Sequence, residues 1–196
     1  MQPASDSPSR KNFTRRGIAS SLQGNQVKLS DNTVLVTGGG SGIDLALAKA
    51  LTLRGNTVVV CDRNGQKLEA VCKENPIIVT FLCNIASDQD QQRFVESITQ
   101  IYQNLNILIN NAGIQYNYNF SDTKNHANLI EKEVNINLLA HLKPTDRFLL
   151  FLMQRTSAAI VNITSALAWV PNQSASIYCA TKAAMHNFTK RCDISL

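Results

Sequence analysis

Five short runs rich in β-branched and aliphatic residues recur at 33–37, 57–61, 77–82, 106–110 and 158–164. Longer helical patterns separate them, at roughly 42–54, 66–74, 88–103, 123–153 and 174–190. The runs TVLVT and TVVVC carry no alternation of polar and apolar side chains. Continuously apolar runs fit strands covered on both faces, which is the condition of a parallel sheet. Strands alternating with helices in this way predict an α/β fold, a doubly wound parallel sheet of five strands with helices on both faces.

The bulk properties fit one such domain of 196 residues with a sizeable core. The net charge of +5 is unevenly placed. Residues 1–30 carry Arg10, Lys11, Arg15, Arg16 and Lys28 against Asp6, so the rest of the chain is left with +1. A near-neutral body does not indicate a nucleic-acid surface, and no apolar run is long enough for a membrane span. Residues 1–30 read as a basic, disordered tail, rich in Ser, Pro, Asn and Gln. Their Arg and Ser content also fits an organelle transit peptide. The five cysteines are Cys61, Cys72, Cys83, Cys179 and Cys192, with no CxxC spacing. An odd count, partly within apolar runs, favours buried reduced thiols over disulfides or a metal site, and a cytoplasmic location.

The first strand runs straight into TGGGSGID, residues 37–44. A glycine turn between a strand and a helix is where backbone N–H groups and the helix dipole can hold a pyrophosphate. Gly38, Ser41, Gly42 and Ile43 are the residues placed to border it. Such turns also occur for purely structural reasons. Asp62 ends the next strand, where a carboxylate can accept hydrogen bonds from an adenosine ribose, or can be a solvated turn residue. Arg63 beside it can pair with a 2′-phosphate, which Asp62 would repel. The balance leans to NAD and leaves NADP open.

Near the C-terminal end, YCATK places the phenol of Tyr178 and the ammonium of Lys182 at i and i+4 on one helix face. A free tyrosine, with a pKa of about 10, is a poor base near neutrality, and a neighbouring cation favours the phenolate. Ser165 follows the fifth strand, where its hydroxyl can hold a substrate oxygen or simply cap a turn.

The stretches TGGGSGI (37–43), NNAG (110–113), NINLLA (135–140), NITS (162–165) and YCATK (178–182) occur in an order and spacing that resembles the short-chain dehydrogenase/reductase family. The resemblance extends from about residue 31 to about residue 190. It implies a Rossmann-like fold and NAD(P)-dependent interconversion of an alcohol and a carbonyl. It implies further that Tyr178 is the acid/base, and that Lys182 lowers its pKa and holds the nicotinamide ribose. Ser165 would position the substrate oxygen, and Asn137 would anchor a water linked to Lys182. Asn111, Ala112 and Gly113 would close the cofactor cleft. Pairing of the helices at 123–153 and 174–190 between subunits would give a homo-oligomer.

The sequence departs from that pattern in several places. Asp44 stands at the family's third glycine, where a carboxylate would repel a pyrophosphate, so weakened cofactor binding is expected. Asn84 replaces an aspartate near the adenine, a mild change because its amide oxygen still accepts a hydrogen bond. Pro144 falls inside the helix predicted at 123–153, at a cost of ~3 kcal/mol unless a kink absorbs it. Arg147 falls on what should be an apolar face. Family members usually continue beyond this point, so the domain at 31–196 is expected to be incomplete at its C-terminus, with an exposed fifth strand and an open pocket. Two readings result: an oxidoreductase, or a catalytically weak relative that acts as a nucleotide-binding or interaction module.

Overall fold

Along β1 (Thr33–Thr37), every residue is buried and successive side chains enter different cores. Leu35 packs with Phe94, Ile98, Phe148 and Leu152 on one side of the sheet. Val34 and Val36 pack with Ala48, Leu68 and Val71 on the other. A strand with apolar side chains on both faces can satisfy them only between two helical layers, which is the arrangement adopted. The structure is a computed structural model, and it describes residues 28–118, 120–121 and 125–191. The expected tail up to residue 27, and Cys192, lie outside the described residues.

From β1 the chain passes through α1 (Gly42–Thr52), β2 (Thr57–Asp62), α2 (Gly65–Glu74), β3 (Val79–Leu82), α3 (Asp88–Ile101) and β4 (Leu105–Asn110). It continues through α4 (Ala127–Val134), a π-helical turn (Asn135–Leu139), α5 (Ala140–Leu152), β5 (Ala159–Asn162) and α6 (Ser176–Arg191). Single 3₁₀ turns at Ala166–Ala168 and Gln173–Ala175 bridge β5 and α6. All four strand pairings are parallel, in the order β3-β2-β1-β4-β5. The chain winds outward from β1 through β2 to β3, then crosses to β4 on the opposite side. The point where winding reverses, between the ends of β1 and β4, is where such sheets open a crevice.

The strands and four of the helices fall close to their predicted places. The helix predicted as continuous over 123–153 does not: it is divided into α4, the π turn and α5. The cause lies at Pro144, buried inside α5. A proline there removes the bond to Ala140 and crowds its carbonyl, and the chain absorbs the misfit by widening the turn just upstream. Arg147 also departs from expectation. Its guanidinium reaches out of α5 to Asp88 (2.9 Å) and to the buried Gln91 of α3, so its place on the helix is a polar contact between α3 and α5 and not an apolar face.

Candidate active site

The floor of the crevice is made of backbone. Gly38 and Gly39 donate their N–H groups to the carbonyl of Cys61 (2.8 and 3.2 Å), which holds the glycine turn against β2. Thr37 Oγ1 accepts from Asn111 N (3.1 Å) and Ala112 N (3.4 Å), which ties the turn after β4 to the end of β1. Gly38 has φ +79°, and a Cβ there would stand 2.8 Å from Ala112 Cα. The two turns touch because that position has no side chain. Gly42 opens α1 with φ +62°, and Ile43 beside it is exposed.

Around this floor lies a cleft of about 230 Å³, bordered by Gly38, Ser41, Asp62, Arg63, Asn84, Ala112 and Gly113. Each of these was predicted from sequence as a cofactor-binding residue. Asp62 Oδ1 accepts from Asn64 N (2.9 Å), and Asn84 Oδ1 accepts from Ala86 N (3.1 Å), so both side chains are braced by their own turns. Lys67 of α2 also borders the cleft and donates to Ser41 Oγ (2.9 Å), a second cation that the sequence pattern did not single out.

Asp44 borders the same cleft from the first turn of α1. Burial raises its carboxyl pKa, opposed by the side-chain amide of Asn111; nearby Asp62 raises it further and Lys182 lowers it. The carboxylate therefore stands among the residues expected to receive a dinucleotide.

Lys182 is buried on α6, and its Nζ donates to the carbonyl of Ile163 (2.8 Å). Burial lowers its pKa, and Asp44 works in the opposite direction. Tyr178, one turn earlier and half-buried, has Lys182 Nζ 5.7 Å from its ring centroid. Asn137 is fully buried in the π turn. Its Oδ1 accepts from Ile114 N and its Nδ2 donates to Ile114 O, both at 2.8 Å, and Nδ2 lies 3.4 Å from Thr181 Oγ1. A Cβ built on Gly113 would be 3.4 Å from Asn137 Oδ1 and 3.8 Å from Lys182 Nζ. These separations bring α6, the π turn and the β4 turn together at one point. Ser165 lies just past β5 and caps the following 3₁₀ turn, its Oγ accepting from Leu167 N (3.2 Å).

Two supports had no sequence signal. His141 is buried on α5 beneath the cleft, its Nε2 2.6 Å from Ala112 O. Burial pushes its pKa down to about 4, so the neutral ring donates to that carbonyl. Glu133, fully buried at the end of α4, accepts from Tyr116 N (3.0 Å) and from the Tyr118 hydroxyl (2.9 Å). It pins the segment that leaves Gly113. Among the described residues no group of three or more His, Cys, Asp or Glu could hold a metal ion, and no helix is long and apolar enough to cross a membrane.

Comparison with known proteins gives a consistent result. The family model described as short chain dehydrogenase matches residues 32–195. A Bacillus subtilis protein named uncharacterized oxidoreductase DltE is 39% identical over 163 residues, which is 83% of this chain and 65% of that protein. The bovine very-long-chain 3-oxoacyl-CoA reductase is 31% identical over 80% of this chain and 52% of its own. The chain thus spans about half to two thirds of the length of these relatives. Among solved structures, the 3-ketoacyl-(acyl-carrier-protein) reductase of Brucella melitensis, complexed with NADH, superposes with a TM-score of 0.78. It is 26% identical over 86% of this chain and 72% of its own.

Proposed function

Because the chain belongs to the short-chain dehydrogenase family, we propose that it is an NAD- or NADP-dependent oxidoreductase that interconverts an alcohol and a carbonyl. The observation that carries this reading is the convergence of Asn137 and Lys182 beside Gly113, with the Tyr178 ring 5.7 Å from Lys182 Nζ. The glycine turn supports dinucleotide binding, because the tight approach of Gly38 to Ala112 leaves a backbone-lined cradle. The nicotinamide supplies a hydride acceptor or donor when bound. The chain's own residues do the rest. Tyr178 takes the hydroxyl proton of an alcohol, or returns it to a carbonyl oxygen. Ser165 Oγ donates to that oxygen and fixes its position. Lys182 holds the ribose next to the nicotinamide, and Asn137 anchors a water that links Lys182 to solvent.

Gly38, Ser41, Gly42 and Ile43 border the pyrophosphate in this reading. Asp62, Arg63 and Asn84 border the adenosine, and Asn111, Ala112 and Gly113 close the cleft. Asp62 at the end of β2 favours a free ribose diol and hence NAD, in keeping with the NADH bound by the Brucella relative. Arg63 and Lys67 favour the 2′-phosphate of NADP. Parallel titrations with NADH and NADPH measure which charge prevails, with NADH expected to bind more tightly.

Asp44 favours a second reading, a protein that binds nucleotide weakly and does not turn over. Purified full chain assayed with both cofactors and a panel of alcohols and ketones separates the two. Turnover that Tyr178→Phe reduces by roughly a thousandfold or more, with cofactor affinity within a few-fold, supports the enzyme. Cofactor binding without turnover on any substrate supports the second reading.

A further inference from the structure

The segment Ile114–Tyr118, which leaves Gly113, has no regular secondary structure, yet it is stitched down at every second residue. Asn137 holds both backbone groups of Ile114, at 2.8 Å each. Glu133 Oε1 accepts from Tyr116 N (3.0 Å), and Glu133 Oε2 accepts from the Tyr118 hydroxyl (2.9 Å). Tyr118 N donates to the carbonyl of Ser174 (2.9 Å). Gln115 and Asn117, between the stitched residues, are exposed. A period of two is that of an extended chain, so the segment forms a strap with one side held and the other open.

The two ends of the strap belong to the two halves of the candidate active site. At its start, Ile114 borders the dinucleotide cleft, and Gly113 just before it lies beside Lys182. At its end, Ser174 sits in the 3₁₀ turn Gln173–Ala175, which runs directly into α6 with Tyr178 in its first turn. The strap therefore spans from the cleft to the base of the helix that carries Tyr178. Asn137 fixes the near end and has a part in the proposed reaction. Glu133 fixes the far end and has none.

Glu133 is fully buried, as Asn137 is. A buried carboxyl group gives up its hydration and needs donors in return. The two donors that meet Glu133, a backbone N–H and a phenol, both belong to the strap.

We infer that Glu133 is a positioning residue for the proposed reaction: by holding the Ile114–Tyr118 strap it sets where Tyr178 stands relative to a dinucleotide in the cleft. It acts through Tyr118 and Ser174 and does not meet the reacting atoms. This effect rests on the oxidoreductase reading above; the stitch itself does not. Glutamine at this position can keep the stitch. Its oxygen accepts from Tyr116 N, and its amide donates to the Tyr118 oxygen, because a hydroxyl can reverse its role. Alanine can do neither.

The test compares the full chain with Glu133→Ala, Glu133→Gln and Tyr118→Phe. Three things are measured: kcat and KM on a substrate drawn from the alcohol and ketone panel, NADH affinity by titration, and amide hydrogen exchange at Tyr116 and Tyr118. Exchange should quicken at both amides in Glu133→Ala and stay slow in Glu133→Gln. In Glu133→Ala, kcat should fall about a hundredfold, the scale of a misplacement of about an ångström, with NADH affinity within a few-fold. Glu133→Gln should recover most of that loss, and Tyr118→Phe should show part of it. NADH affinity falling by the same factor as kcat would overturn the inference, because Glu133 would then serve cofactor binding. Fast exchange with an unaltered kcat would overturn it too, as the mark of a purely structural peg. If Glu133→Ala does not fold, Tyr118→Phe, which removes one hydroxyl, decides by the same readings. If the unaltered chain turns over no substrate in the panel, the oxidoreductase reading and the effect on it fail together, while exchange at Tyr116 still decides whether Glu133 holds the strap.

Discussion

Asp44 is the residue on which the affinity of the cleft turns. Its carboxylate borders the cleft at the position expected for a pyrophosphate, and the nearby Asn111 amide and Lys182 favour its charged form against burial. Replacement by glycine should tighten dinucleotide binding by roughly tenfold, about 1.4 kcal/mol, the scale of one screened unit charge at several ångströms. Equal affinity in calorimetric titration would remove Asp44 from the account. The pH dependence has a definite sign. Burial raises the Asp44 pKa, so the group loses its charge earlier than an ordinary aspartate as pH falls. The ligand's pyrophosphate stays anionic over that range. Affinity should therefore rise as pH drops from neutrality toward the ordinary carboxylate range, and Asp44→Asn should flatten the profile.

His141 gives the opposite kind of dependence, in stability. Its pKa falls from 6.5 to about 4 on folding, because the buried ring stays neutral. Below 6.5 the unfolded chain takes up a proton that the folded chain refuses. This contribution is intact above 6.5 and is lost as pH falls toward 4. The loss is about 3 kcal/mol from this one group. Urea unfolding followed between neutrality and pH 4 should show it, and His141→Gln should show less of it.

At the scale of elements, what was legible in the sequence was local. The glycine turn, NNAG and the Tyr-Lys spacing are short patterns whose chemistry depends on neighbours in the chain; the first two lie at the ends of β1 and β4, and the third lies within α6. Contacts between elements left no trace of that kind. Nothing in the spacing places Asp44 of α1 near Lys182 of α6, or His141 beneath Ala112. The π turn that buries Asn137 was hidden for another reason. The helical period of 123–153 is continuous, and only the backbone geometry upstream of Pro144 reveals the break. Arg147 measures how α5 is fixed to α3. Arg147→Ala leaves the Oε1 of buried Gln91 without its donor, which should cost about 1–3 kcal/mol in denaturant unfolding. Added salt should change that cost little, because the accompanying pair with exposed Asp88 is already screened.

Over the whole molecule, the strand order could be anticipated only as a class. Continuous apolar runs require two helical layers, but they do not say which strands are neighbours; that follows from the winding between β1 and β4. Among the described residues β5 lies at one edge of the sheet, with Val161 40% exposed on it and Leu150, Met153, Trp169 and Val170 also exposed. An edge with open backbone groups and apolar side chains invites pairing. Concentration-dependent association should be measurable by light scattering for this chain, and Val161→Lys should reduce it. Unchanged association would place the contact elsewhere.

The crevice is suspended from main-chain atoms of the sheet, through the Cys61 carbonyl, and from a few side chains beneath it, the Thr37 hydroxyl, the His141 ring and the Asn137 amide. Most of the side chains around its rim take no part in that suspension. Form and charge are therefore separable in this scaffold: the rim can be rewritten, as Asp44 rewrites it, while the mould keeps its outline. A protein built this way can exchange one anionic guest for another, or refuse it, by single substitutions that leave the fold untouched.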